Sequence, residues 1–194
     1  NDFESAVLNE VKQFRLDPMP DQEDEIVVWT EGAGVVPMVR QFVDPYSVEV
    51  ISSGGMDGLH IKKQISDRFR DRTAIIFHLG DRDPTGEVMH QALREDLLAF
   101  GAQVKFHRLA VTPQQISEWQ LQTKPVKRRG NTHSKSFDGK ETVELEAIPP
   151  EKLKTLLINA IEGHLGSDAF EKTQARSKEI RRQLLRRYGL GDRE

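Results

Sequence analysis

Apolar residues along this chain follow two spacings. Short strand-like runs occur at residues 25–30, 47–51, 73–79 and 103–109, nearly unbroken in apolar character at 25–30 and 73–79. Between them, at 35–42, 57–69 and 84–100, apolar positions recur every three or four residues. The runs read as buried strands, and the intervening stretches as helices laid against them. Strands that alternate with helices in this way predict a parallel α/β sheet with right-handed crossovers and helices on both faces.

The flanks are more polar. A helix is expected over residues 2–14, followed by a linker through Asp17-Pro18-Met19-Pro20, so that residues 1–24 form an N-terminal appendage. After the fourth strand, Thr112-Pro113-Gln114-Gln115 has the form of a capping box that opens a short helix. Residues 120–140 form a basic loop without periodicity, and a loop of that length is usually functional or disordered. Residues 142–148 read as a brief strand. Pro149-Pro150 then starts a helix with Leu153, Leu156, Leu157, Ala160 and Ile161 along one side. The domain is expected to run from 25 to 165. Residues 166–194 read as a charged helical tail, with Leu184 and Leu185 set among arginines, that needs a partner.

Composition narrows the chemistry. At 194 residues, 37% hydrophobic and 30% charged, the chain suits one soluble domain with appendages, and a formal net charge of −3 gives no overall pull toward nucleic acid. Any such binding must come from local basic patches. The absence of cysteine excludes disulfides, thiolate ligands and thiolate nucleophiles. With neither a long apolar segment nor a secretory pattern, a cytoplasmic protein without a membrane role is expected. The start at Asn1 rather than Met reads as a trimmed or C-terminal part of something longer.

The chemistry concentrates at the strand ends. The third strand runs into Gly80-Asp81-Arg82-Asp83-Pro84-Thr85-Gly86. In extended chain, residues i and i+2 point the same way, so Asp81 and Asp83 converge while Arg82 turns aside. A hard cation such as Mg²⁺ binds through one or two carboxylates, waters and phosphate oxygens. Pro84 suits a first helical turn, whose N-terminus favours an anion beside the metal. A plain polar turn with an N-capping aspartate is the competing reading. Ligands of open α/β sheets gather beyond the carboxyl ends of the strands. The first strand delivers Glu31 to that edge, and the second ends at Gly54-Gly55, whose N–H groups suit a phosphate. Lys124, Lys127, Arg128 and Arg129 in the basic loop are candidate nucleic-acid contacts.

Glutamate after the first strand, glycines after the second and Asp-x-Asp-Pro-x-Gly after the third resemble the Toprim family. The pattern is most like the topoisomerase VI A subunit, the meiotic break-forming proteins and uncharacterised bacterial and phage relatives. The similarity continues through Thr123-Lys124-Pro125 and the run from Val143 to Pro150, covering about residues 25–165. It implies a Rossmann-like fold and Mg²⁺ (or Mn²⁺) on Asp81 and Asp83. It also implies an acid/base or metal role for Glu31, an accessory acid at Glu144, and phosphodiester chemistry on nucleic acid, DNA foremost. Two features depart from that pattern. Gly32 stands where many relatives have lysine, and the chain lacks the winged-helix domain whose tyrosine attacks DNA, so a partner domain or subunit carrying it is implied.

Two other classes compete. Asp81-Arg82-Asp83-Pro84-Thr85 also fits the Asp-x-Asp-x-Thr of haloacid dehalogenase-like phosphatases, although those carry it on the first strand and leave Glu31 unexplained. A non-catalytic binding or regulatory module is the third reading, favoured by Gly32. Tyr46, Tyr188, Trp29 and Trp119 are assigned structural roles. His60, His78, His107, His133 and His164 lack ligand spacing, and Gly32-x-Gly34 is too short for a dinucleotide fingerprint.

Overall fold

The computed structural model describes residues 2–19, 22–53, 58–126 and 137–190. Four strands, β1 (Glu25–Thr30), β2 (Glu49–Ser52), β3 (Ala74–Leu79) and β4 (Val104–Ala110), form one sheet in the order β2-β1-β3-β4. Every pairing in it is parallel. The expected α/β architecture is therefore present. The central strands β1 and β3 are almost wholly buried, as their unbroken apolar runs require.

Helix α2 (Val36–Val43) links β1 to β2, α3 (Gly58–Arg68) links β2 to β3, and α4 (Pro84–Ala99) links β3 to β4. The chain moves outward one way from β1 to β2 and the other way from β2 through β3 to β4. Crossovers of a single hand therefore require α2 on one face, and α3 and α4 on the other. The core divides accordingly. Ile26, Val28, Ile75 and Phe77 pack with Val39 and Val43 of α2, whereas Val27, Trp29 and Ile76 pack with Ile65, Phe69, Leu93 and Leu97.

Beyond β4, α5 (Pro113–Trp119) opens with the expected capping box. Thr112 accepts from the Gln115 N–H at 3.3 Å, and Gln115 accepts from the Thr112 N–H at 2.9 Å. Helix α6 (Pro150–Glu162) buries Leu153, Leu157 and Ile161 on the α2 face. Between α5 and α6, the brief strand expected over 142–148 is not formed as one piece. A two-residue antiparallel pair, β5 (Lys124–Pro125) with β6 (Glu141–Thr142), precedes a single bridge at Val143 and a 3-10 turn at Leu145–Ala147. Val143, Leu145 and Ile148 are all buried. The turn brings Leu145 and Ile148 to one side, and it frees the Leu145 N–H for a side chain rather than a neighbouring strand.

The charged tail finds its partner inside the chain. Helix α7 (Ser167–Arg187) lies against α1 (Asp2–Gln13), with Leu184, Leu185 and Leu190 packed on Val7, Leu8 and Val11. The Leu16 N–H donates to Ser177 Oγ at 3.0 Å, fixing the chain after α1 to α7. Among the described residues no helix is long and apolar enough to cross a membrane.

Candidate functional site at the switch point of the sheet

Connections leave β1 and β3 in opposite directions, so the crevice between their carboxyl ends is the switch point where open α/β sheets bind ligands. Thr30 pairs with Leu79, so Glu31 and Gly80 emerge at the same level. The Glu31 N–H continues the ladder to Leu79 O at 2.9 Å. Behind it, Thr30 Oγ1 is buried and within bonding distance of Gly32 O (3.0 Å) and Ile51 O (3.3 Å), which fixes the turn. Glu31 Oε2 accepts from the Asp81 N–H at 3.1 Å. The two acids line one cleft of about 280 Å³ together with Gly32, Gly80, Leu145 and Glu146.

Two glycines make this approach possible. A Cβ at Gly80 would stand 2.5 Å from Glu31 Oε2 and 2.8 Å from the His78 ring. One at Gly86 would stand 2.5 Å from the Asp81 backbone oxygen and 3.1 Å from Glu31 Oε2. The backbone oxygen cannot swing aside. Gly86→Ala is therefore expected to cost about 1 kcal/mol or slightly more in a urea denaturation series, by pushing the turn off Glu31. An unchanged midpoint would show that the turn yields freely.

Asp81 and Asp83 do different work. Asp81 Oδ1 accepts from the Leu145 N–H at 2.8 Å, which ties the 3-10 turn to the end of β3. The neighbouring bridge reinforces the tie: Arg82 N–H donates to Val143 O at 2.8 Å, and Val143 N–H to Arg82 O at 3.0 Å. Asp83 is the N-cap of α4 and accepts from the Gly86 N–H at 2.6 Å, with Pro84 in the first turn. Glu144 is exposed and paired with Lys124 at 2.6 Å, so these two sequence candidates meet each other. Gly54, Gly55, Lys127, Arg128 and Arg129 lie outside the described residues. Of the remaining candidates, His78 is buried beside His90 and Phe106, and Trp29 is buried with its indole N–H on Ser53 Oγ at 2.6 Å. Tyr46 stacks on Phe170 and bonds to Glu162.

Burial and neighbouring carboxylates raise the proton affinity of Glu31 and of Asp81. Burial, and next the Asp81 charge, push Glu31 up to about 7, with Asp83 adding to the rise and the Asp81 N–H and Arg108 opposing it. Burial also raises Asp81, against the Leu145 N–H, with Glu146, Asp83 and Glu144 contributing. Carboxylates this close in a half-buried cleft are the condition under which a cation or a proton is retained.

Two residues of this edge escaped the sequence reading. Arg108 pairs with His78 in the sheet and lies just before a register shift. Its Nη2 reaches over the end of β3 to Gly80 O at 3.2 Å and Asp81 O at 2.6 Å. It is thus a cation built into the acid edge, and its alternation with Phe106 toward a strand's carboxyl end was the available signal. Glu146 lines the acid cleft because the 3-10 turn, rather than a strand, presents it.

The acid edge offers carboxylate oxygens, the kind of ligand that a hard divalent cation takes. Glu31 Oε1, Asp81 Oδ2 and Asp83 Oδ2 accept no hydrogen bond from the described residues, leaving one oxygen on each acid for a ligand. Among the described residues no three His, Asp or Glu side chains already form a metal cluster, so such an ion would use one or two carboxylates with waters and phosphate oxygens. No protein-family model matches this chain, and no curated protein is significantly similar to it.

Proposed function

We propose that this chain carries out metal-dependent phosphodiester chemistry on nucleic acid, DNA foremost, as a Toprim-type cleavage module. The observation that carries the reading is the meeting of Glu31 and Asp81 at the switch point, where like charge and burial raise both carboxyls. Asp81 and Asp83 hold Mg²⁺ (or Mn²⁺), with Glu31 beside them and Glu144 further out. When bound, the cation polarises a phosphate oxygen and offsets the charge that builds on it.

Glu31, titrating near neutrality, takes a proton from the attacking hydroxyl or returns one to the leaving oxygen. The Leu145 N–H and Arg108 keep Asp81 in place through its side chain and its backbone oxygen. The nucleophile is water if the chain acts alone, or a tyrosine from a winged-helix partner domain or subunit. A binding or regulatory role without catalysis is the second reading, favoured by the engagement of Asp83 as the α4 cap and of Lys124 with Glu144.

The deciding experiment is nicking of supercoiled plasmid with and without Mg²⁺ or Mn²⁺. Cation-dependent nicking that Asp81→Ala abolishes is the expected result. DNA binding with no nicking from either protein would favour the second reading.

A further inference from the structure

A hollow of about 420 Å³, larger than the acid cleft and sharing no lining residue with it, opens against α4. Its walls carry Arg82, Glu87, His90 and Arg94 on one side, and Phe137 and Asp138 on the other. Arg82 is held over the Phe137 ring at 5.3 Å with its side chain only 13% exposed. One of its nitrogens bonds Glu87 at 3.0 Å and another bonds Asp138 at 3.0 Å. The Asp138 side chain is 86% exposed, so it holds that place through an ion pair that water readily replaces.

The remaining charges favour an anion. Arg94 lies seven positions after Glu87, on the same side of α4, and is exposed, its side chain making no ion pair or hydrogen bond among the described residues. Arg108 stands behind the wall, 3.7 Å from the same Glu87 oxygen that Arg82 binds. Two guanidinium groups, Arg82 and Arg94, thus line the hollow with two carboxylates, one of which is displaceable, while Arg108 behind the wall is engaged with the backbone oxygens of the acid edge. His90 Nε2 is buried at this wall without a partner.

We propose that this hollow is a phosphate-binding site. Arg82 and Arg94 grip the phosphate oxygens, and Asp138 occupies the place on Arg82 when no phosphate is bound. The guanidinium fork matches phosphate as it matches carboxylate, and phosphate brings more charge and more acceptors. The volume is that of a small-ligand site, sufficient for a phosphate with its sugar. The site does not depend on metal in the acid cleft.

Calorimetric titration of the full chain with inorganic phosphate, a mononucleoside monophosphate and a short single-stranded oligonucleotide tests the proposal. Arg94→Gln and Asp138→Asn alter exposed residues, so their fold is checked simply by a thermal melt. Arg94→Gln is expected to weaken phosphate binding about fivefold or more, and Asp138→Asn to tighten it. Equal affinity for mononucleotide and oligonucleotide assigns the site to free phosphate compounds. Tighter oligonucleotide binding, with a salt slope that Arg94→Gln lowers by about one, assigns it to the phosphates of a strand. Absence of saturable binding by all three probes, or affinities unchanged in both variants, would overturn the proposal.

Discussion

Glu31→Ala is expected to lower divalent-cation-dependent DNA cleavage by about 10²–10⁴-fold, the usual contribution of a positioned acid or base. Glu31 is placed for that loss. It projects from the end of β1 into the cleft shared with Asp81, titrates near neutrality and keeps one oxygen free. The phosphatase reading of Asp81-Arg82-Asp83-Pro84-Thr85 gives Glu31 no part, so under it hydrolysis of a small phosphate monoester would survive the same substitution. Initial rates on plasmid and on p-nitrophenyl phosphate, measured side by side, separate the two. Cleavage retained within about threefold in Glu31→Ala would remove Glu31 from the reaction. Because the methyl leaves the Asp81 N–H without its acceptor, Glu31→Gln serves as the companion variant: it preserves an acceptor while removing the proton-transfer function.

Gly32→Lys approaches the same edge from the other direction. A Cβ at Gly32 meets nothing within 4 Å, and the turn is held by Thr30 rather than by the glycine. A lysine there is expected to fold normally and to lower the proton affinity of Glu31. A pH–rate profile displaced toward acid is the readout, and an unmoved profile would mean that Arg108 already fills the electrostatic place of the lysine.

The sheet was legible in the sequence because β1 and β3 bury both faces and so leave unbroken apolar runs with sharp ends. Asp81 and Asp83 were located by the same logic. Their division of labour was not: the chain is still extended at Asp83, but that residue stands at the N-cap of α4 and gives one oxygen to the Gly86 N–H, whereas Asp81 gives one to the distant Leu145 N–H. That Glu31 lies beside Asp81 depends on β1 and β3 being neighbours although β2 intervenes in sequence. Local pattern does not encode that adjacency; the rule on strand carboxyl ends supplied it. Arg108 was missed because its reach to Asp81 O follows from a register shift in β3–β4 pairing, and Glu146 because a 3-10 turn replaced the expected strand. The partner of the tail escaped for a similar reason: the α1–α7 contact joins the two ends of the chain.

The acid edge also predicts how stability varies with pH. In the unfolded chain Glu31 has its ordinary value of 4.5, and in the folded chain it is raised to about 7. Below the lower value both states hold the proton and the group contributes no difference. Between the two values the unfolded chain releases its proton while the folded chain retains it, so stability falls as pH rises. Above about 7 the full cost of the charged group remains, roughly 1–2 kcal/mol once discounted for the solvent that still reaches it. Glu31→Gln removes that cost and can still accept from the Asp81 N–H. It should match the wild type near pH 4 and exceed its stability by that margin at pH 8 in paired urea titrations. Mg²⁺ at pH 8 should stabilise the wild type, by about 2.7 kcal/mol at a hundred times its Kd, and Asp81→Asn far less. Superimposable pH profiles for wild type and Glu31→Gln would show that the Glu31 carboxylate is adequately solvated in the fold. Glu31 would then lose its claim to a proton-transfer role, even if Asp81 still bound the cation.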